Sequence, residues 1–191
     1  MTGKLIVITG LDGSGTTSLA EALSARDPGS SVFKTPNSPY DAMRKVIDAE
    51  VREVSQAAHY LFYLSSVVFA STQIEKLLEK GNVYCVRYLI DTVVSHRAAG
   101  LDVELEYSNK LYSIRKPDLT LMLKVDESLR QDRITERGKG LLDKLLDDDT
   151  LRGKFNAEFR RFGDDLRVVM NEGNNIDMAV EAAIQHMNWD Q

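Results

Sequence analysis

Apolar residues fall along this chain in short unbroken runs and in stepped helical patterns, and the two kinds alternate. Leu5-Ile6-Val7-Ile8-Thr9 is a continuous run rich in β-branched residues, which predicts a strand buried on both faces. Thr17 to Ala25 predicts a helix and Ser31 to Lys34 a short strand. Ala57, Leu61, Leu64, Val68, Ile74 and Leu78 recur mostly at three- and four-residue steps, which predicts a long helix stopped by Gly81. Val83 to Tyr88 and Leu119 to Val125 predict two more strands, and a helix over Glu127 to Arg137 ends at Gly138. Leu166 to Met170 predicts a last strand and Asp177 to Met187 a closing helix. Strand–helix alternation of this kind predicts the α/β class, a parallel sheet covered by helices on both faces. The chain has no internal repeat, low-complexity segment or linker, and its 191 residues read as a single domain, 1–191.

The turn between the first strand and the first helix carries the most chemistry. Gly10-Leu11-Asp12-Gly13-Ser14-Gly15-Thr16-Thr17 follows the phosphate-loop pattern G-x-x-x-x-G-K-[ST], except that Thr16 stands where the lysine belongs. A glycine-rich turn from strand into helix aims several N–H groups at one point, where the helix dipole also favours an anion. That geometry survives the loss of the lysine. The pattern therefore predicts that Gly13, Ser14, Gly15, Thr16 and Thr17 hold nucleotide phosphates, with the Thr17 hydroxyl on Mg²⁺. The plain alternative is a glycine-rich turn that only starts a helix. What is lost with the lysine is a mobile positive charge that follows the phosphate into the transition state.

Composition narrows the partners. A net charge of −5 argues against a nucleic acid or an anionic membrane surface as partner. No apolar run approaches the ~20 residues needed to cross a bilayer, and the N-terminus enters a strand almost directly, without a signal-peptide pattern. The single cysteine, Cys85, excludes an intramolecular disulfide and fits a reducing cytoplasm.

The residues resemble the thymidylate kinases and related nucleoside-monophosphate kinases along nearly the whole chain. Gly10-Leu11-Asp12-Gly13-Ser14-Gly15 is similar to the family's phosphate loop, and Asp12 matches the residue that touches the acceptor's sugar hydroxyl. Lys34-Thr35-Pro36-Asn37 resembles the loop before the acceptor site, and Leu61-Phe62-Tyr63 falls where the family has its Leu-Phe-Tyr/Ala helix. Val86-Arg87-Tyr88 sits where the family carries Asp-Arg-Tyr or Asp-Arg-His, and Pro117-Asp118-Leu119-Thr120-Leu121 matches its Pro-Asp-Leu-Thr strand entry. Arg133 and Arg137-Gly138 match basic positions leading into the lid. The resemblance implies a P-loop kinase fold, a five-stranded parallel sheet flanked by helices with a mobile lid at about 138–152. It also implies ATP and Mg²⁺, and a homodimer formed through the helix that carries Leu61 to Leu78. The departures cluster on chemistry and base recognition. Thr16 replaces the loop lysine, and Val86 the aspartate that serves near the metal and phosphates. Ser66 falls where the family reads thymine with an arginine, Ser95 where many bacterial members place a tyrosine at the sugar 2′ position, and His96 where they have glutamine.

Candidate roles follow residue by residue. Arg87, at the carboxyl edge of its strand, is placed to hold the acceptor phosphate. Tyr88 reads as packing. Asp91 is either a helix cap or a carboxylate replacing the one lost at Val86. Arg130, Arg133 and Arg137 are spaced i, i+3 and i+7 and share a helix face, either a solvated basic stripe or donors to the phosphates; Arg133, Arg137 and Lys139 are the better donors. Arg44, Phe62, Ser66, Ser95 and His96 are acceptor-side candidates. His59 and His186 read as ordinary helical residues, and the three histidines show no metal-ligand spacing. Asp147-Asp148-Asp149 reads as a solvated loop. The function so predicted is ATP-dependent phosphorylation of a small-molecule nucleoside monophosphate or related nucleotide other than dTMP. The alternative is a nucleotide-binding pseudokinase impaired by Thr16 and Val86. A P-loop GTPase or ATPase switch fits less well, because the strand Val83 to Tyr88 lacks an acidic end.

Overall fold

The computed structural model describes residues 2–138, 146–173 and 175–187. Five strands, β1 (Leu5–Gly10), β2 (Ser31–Lys34), β3 (Val83–Val86), β4 (Leu119–Lys124) and β5 (Arg167–Met170), form one parallel sheet in the order β2-β3-β1-β4-β5. Seven helices surround it among the described residues: α1 (Thr16–Ala25), α2 (Tyr40–Val46), α3 (Gln56–Leu78), α4 (Leu89–Ala98), α5 (Glu127–Arg137), α6 (Asp149–Arg160) and α7 (Asp177–His186). A π-helical turn, Ile47–Val51, continues α2.

Strand β1 is central because all six of its residues are apolar or small and all are buried. Its side chains alternate between two cores, as strand geometry requires. Leu5 and Val7 pack with Val67, Ile74, Val93, Phe155 and Phe159 from α3, α4 and α6; Ile6 and Ile8 pack with Leu19, Leu23, Val180 and Ala183 from α1 and α7. Each fully buried aliphatic side chain is worth ~1.5–3 kcal/mol. Parallel registry brings Lys34, Val86, Ile8 and Leu121 level across the sheet, so the chain leaves four strands on one carboxyl edge. Ligands of open α/β sheets bind outside that edge.

Several expectations change. Gly81 does not cap α3, which ends at Leu78 with Glu79 as its cap. Glycine is needed there for close approach: a Cβ on Gly81 would lie 2.2 Å from the Gly29 carbonyl oxygen. Gly138, by contrast, caps α5 with φ 87°. Asp148 and Asp149 are not loop residues but the start of α6, where Asp148 accepts from Thr150 N at 2.8 Å. Residues 139–145, with Lys139 and the middle of the expected lid, lie outside the described residues, and 149–152 belong to α6. Among the described residues no helix is long and apolar enough to cross a membrane, and no cluster of His, Cys, Asp and Glu could hold a metal ion.

Candidate active site

The loop from Gly10 to Thr17 closes between β1 and α1 as its glycines demand. Gly10, Gly13 and Gly15 have φ of 152°, 87° and 96°, conformations that side-chain-bearing residues rarely adopt. Gly15 is also the cap residue of α1. No side chain caps that amino end and no acid lies in its first turn. Helices α3, α5 and α6, in contrast, are capped by Ser55, Asp126 and Asp148. The first N–H groups of α1 are thus left for a ligand.

The loop's carbonyls are drawn to the opposite side. Arg130 donates to Asp12 O at 2.9 Å, Arg133 to Gly13 O at 3.5 Å and Ser14 O at 3.4 Å, and Asn171 Nδ2 to Ser14 O at 2.7 Å. Holding the Asp12 and Ser14 carbonyls turns the N–H groups of Gly13 and Gly15, on the same planar peptides, the other way, while the Ser14 N–H is taken by Leu11 O at 3.1 Å. Ser14 Oγ is buried without a hydrogen-bond partner, and the Thr17 hydroxyl has none among the described residues. Both are groups that phosphate oxygens or a metal can satisfy. The donor set therefore fits a nucleotide triphosphate with Mg²⁺. A cavity of about 430 Å³ opens beside it, lined by Gly15, Ser18, Arg133, Asn171, Asn175 and Asp177, among others.

Arg130 is no solvated stripe. It is 1% exposed and grips Glu127 through two hydrogen bonds, at 2.7 and 2.8 Å. Burial would raise the Glu127 pKa, but the bonds from Arg130 and Gln131 outweigh it and hold the group below its ordinary value. Arg133 also reaches Gly173 O at 2.6 Å. Two of the three arginines expected on this face thus meet the loop; the Arg137 side chain lies outside the described residues.

Across the sheet edge Arg87 follows β3 with φ 67°, the one non-glycine residue in the left-handed region among the described residues. Such a conformation costs ~1–3 kcal/mol and persists only where surroundings impose it. Here Thr35 Oγ1 donates to the Arg87 carbonyl at 2.9 Å, and the guanidinium donates to Gly10 O, to Asp91 at 2.8 Å and to Asp12 at 2.6 Å. Burial disfavours the charge, but Asp12 and Asp91 more than offset it and raise the pKa. Of its five N–H groups, Nε–H and one on Nη2 remain for a ligand. Asp91 is the helix cap, accepting from Tyr88 N at 2.9 Å at the start of α4, and it also accepts from Thr9 Oγ1 at 2.6 Å beside Arg87. Val86, where the resembling family has aspartate, packs in the apolar cluster with Ile6, Ile8 and Leu121. Tyr88 is core, as expected.

The acceptor-side candidates divide. Phe62 packs on Tyr40 at 5.5 Å between ring centres. Ser66 is buried with Oγ bonded to Tyr63 O at 2.7 Å, and Ser95 Oγ donates to Thr92 O at 3.0 Å. Neither serine hydroxyl points its hydrogen outward. His96 is 2% exposed and both its nitrogens are engaged, Nδ1 with Thr92 O at 2.7 Å and Nε2 with His59 Nδ1 at 2.8 Å. Base reading by His96 therefore requires breaking an internal bond. His59 continues to Asp48 at 3.0 Å, which also accepts from Tyr63 OH at 2.7 Å and from Arg44 Nε at 3.3 Å. Burial acts against the charge of Arg44, yet Tyr63, Asp48 and Asp12 hold its pKa above the ordinary value. Sequence reasoning missed His59, Asp48 and Tyr63 as a set. The available signal was His59, Tyr63 and Ser66 at i, i+4 and i+7, one face of α3.

Burial, partly opposed by the bond to the Thr92 carbonyl, pushes the His96 pKa down to about 4. The unfolded chain therefore takes up this proton first, and stability is lost as pH falls from about 6.5 toward 4, by up to ~3 kcal/mol. Urea unfolding across that window should show a loss in the wild type that is smaller in His96→Gln; equal losses would contradict it.

Residues 8–184 match the family model described as thymidylate kinase. A probable thymidylate kinase of Methanococcus vannielii is 27% identical over 74% of this chain and 71% of its own, and one of Pyrobaculum aerophilum is 30% identical over 70% of each. Among solved structures, thymidylate kinase from Candida albicans superposes with a TM-score of 0.73 at 22% identity, covering 98% of this chain and 92% of that one. Deoxyadenosine kinase from M. mycoides gives 0.68 at 16%, covering 97% and 99%. These likenesses share the parallel sheet and its flanking helices with this chain.

Proposed function

The chain belongs to the thymidylate kinase family, and on that premise we propose that it transfers the γ-phosphoryl group of ATP to the phosphate of a nucleoside monophosphate or related nucleotide. The observation that carries this reading is the pairing of two opposed sites on one sheet edge. On one side, α1 presents an uncapped amino end with the loop carbonyls tied back; on the other, Arg87 is fixed with donors to spare. Phosphoryl transfer is mostly positioning and charge neutralisation, and these two sites supply both.

In this reading the N–H groups of Gly13, Gly15, Thr16 and Thr17, with the Ser14 hydroxyl, hold the ATP phosphates, and Thr17 is the protein's ligand to Mg²⁺, which would neutralise phosphate charge. The cavity beside Gly15 and Asn171 takes the donor's base. Arg87 and Arg44 hold the acceptor phosphate, and Asp12 the acceptor sugar. Arg133 and Arg137, with the lid, provide the charge that Thr16 does not. Asp91 keeps Arg87 oriented in place of the carboxylate absent at Val86. The acceptor is a nucleotide other than dTMP: Ser66 offers the base no cation, and its hydroxyl is spent on Tyr63 O. The enzyme works in the cytoplasm as a homodimer.

A mass-spectrometric assay with ATP, Mg²⁺ and a panel of ribo- and deoxyribonucleoside monophosphates tests this reading. One acceptor other than dTMP is expected to be converted at ~1 s⁻¹ or faster. Preferred turnover of dTMP would overturn the acceptor assignment, and no product with ATP still bound would favour the pseudokinase. Thr16→Lys is expected to raise turnover by restoring the missing charge. A fall would show that Thr16, which is buried, belongs to a differently arranged loop.

A further inference from the structure

The chain from Thr92 to Arg44, buried at its two histidines and open to solvent at Arg44, can be followed proton by proton. A carbonyl only accepts, so the 2.7 Å contact between His96 Nδ1 and Thr92 O places a hydrogen on Nδ1. His96 is buried against a carbonyl, the Ser95 hydroxyl and His59, while the carboxylate of the chain lies on His59, so His96 is the neutral partner and its Nε2 is bare and accepts. Its partner, His59 Nδ1 at 2.8 Å, must then carry a hydrogen. The other His59 nitrogen, Nε2, faces Asp48 Oδ1 at 3.0 Å. That carboxyl already accepts from Tyr63 OH at Oδ1 and from Arg44 Nε at Oδ2. Burial would raise the Asp48 pKa, but these hydrogen bonds and charges bring it below the ordinary value, so Asp48 is a carboxylate. Two lone pairs do not face each other at 3.0 Å in a buried site, so His59 Nε2 carries a hydrogen as well.

We infer that His59 is an imidazolium that clamps Asp48 and, through it, positions Arg44 for the acceptor phosphate. His59 is a positioning residue in this scheme, and its link to the acceptor rests on the function proposed above. The charged and titratable groups around it come from every neighbouring element. They are Arg44 on α2, Asp48 and Arg52 on the turn after it, Tyr60 and Tyr63 on α3, His96 on α4, and Glu106 from the following loop, which acts on Tyr60. The arrangement ties α2, α3 and α4 together at three points. It also explains why a polar chain sits where an apolar core would otherwise form: one extra proton on the two imidazoles satisfies every atom in it, and the Asp48 carboxylate at 3.0 Å makes His59 its seat.

Long-range ¹H–¹⁵N NMR of the full-length protein tests the proton directly. His59 should show hydrogens on both nitrogens near neutral pH, and His96 a hydrogen on Nδ1 alone. In Asp48→Asn the amide can donate to a bare Nε2, so His59 should become neutral. A neutral His59 in the wild type, or an unchanged imidazolium in Asp48→Asn, would overturn the inference. In His59→Gln the Arg44 Nε–H should lose its exchange protection. The acceptor KM should rise about tenfold, the scale of one lost charge-assisted hydrogen bond, with kcat within about twofold. Unchanged acceptor KM would refute the positioning role. If the wild type converts no acceptor, the proposed function falls, while the spectra still decide the protonation of His59.

Discussion

Arg87→Ala is expected to lower kcat/KM for the acceptor by about 10²–10³, the scale of losing one preorganised charge donor from a transfer site. The loss has two parts. The acceptor phosphate loses its guanidinium fork, which raises KM. Asp12 and Asp91, now held together by Arg87 at 2.6 and 2.8 Å, lose the cation between them, and Asp12 lies in the loop proposed to hold ATP. The second effect reaches kcat and also destabilises the fold. Arg87→Lys separates the two, because it keeps a charge near both carboxylates without the planar fork. Its stability should recover more than its acceptor KM. Steady-state kinetics and thermal unfolding of both variants check this. Wild-type acceptor KM in Arg87→Ala would remove the residue from the site.

Gly15→Ala is expected to weaken ATP binding by about tenfold to a hundredfold. Gly15 sits at φ 96°, and a Cβ there would lie 2.7 Å from Asn171 Nδ2. Left-handed strain for alanine costs ~1–2 kcal/mol, and the close contact adds to it. The Asn171 bond to Ser14 O is the part most exposed to the change. If the loop escapes by rotating out of the left-handed region, its N–H groups no longer converge on the phosphates. Calorimetric titration with ATP reads the effect, and an unchanged Kd would show that the phosphates bind elsewhere. The same distances explain why a loop without lysine keeps its form: its shape is set by glycine backbone and by Arg130, Arg133 and Asn171 behind it.

What the sequence made legible was whatever a local pattern encodes. β1 is a run of buried branched residues, the phosphate loop has fixed spacing, and α5 begins after Asp126 and ends at a left-handed glycine. Helix α4 gave no such signal. Leu89 to Ala98 mixes apolar, β-branched and polar residues, and polar Thr92 and His96 are buried with the apolar ones, so no amphipathic stripe distinguishes it from an extension of β3. Helix α6 failed in the opposite way: it is largely charged, and only Phe155 and Phe159 are buried along its length. Arg130 looked like half of a solvated face because arginine is rarely buried unless paired. Its pairing with Glu127, three residues earlier, was written in the sequence; its bond to Asp12 O, across the fold, was not. The Asp48–His59–His96 chain joins three helical segments. Its last link spans 37 positions, a proximity that no single-sequence pattern contains.

The central claim is that a loop with threonine for lysine and a strand end with valine for aspartate still support transfer from ATP to a nucleotide phosphate. The most direct measurement is a single-turnover reaction with ATP labelled at its γ-phosphorus, Mg²⁺ and the accepted monophosphate, with enzyme in excess. The account predicts that the label leaves ATP and appears in the terminal phosphate of a nucleoside diphosphate, and that Arg87→Ala delays this step. Label released only as inorganic phosphate, at a rate indifferent to the monophosphate and to Arg87, would contradict it.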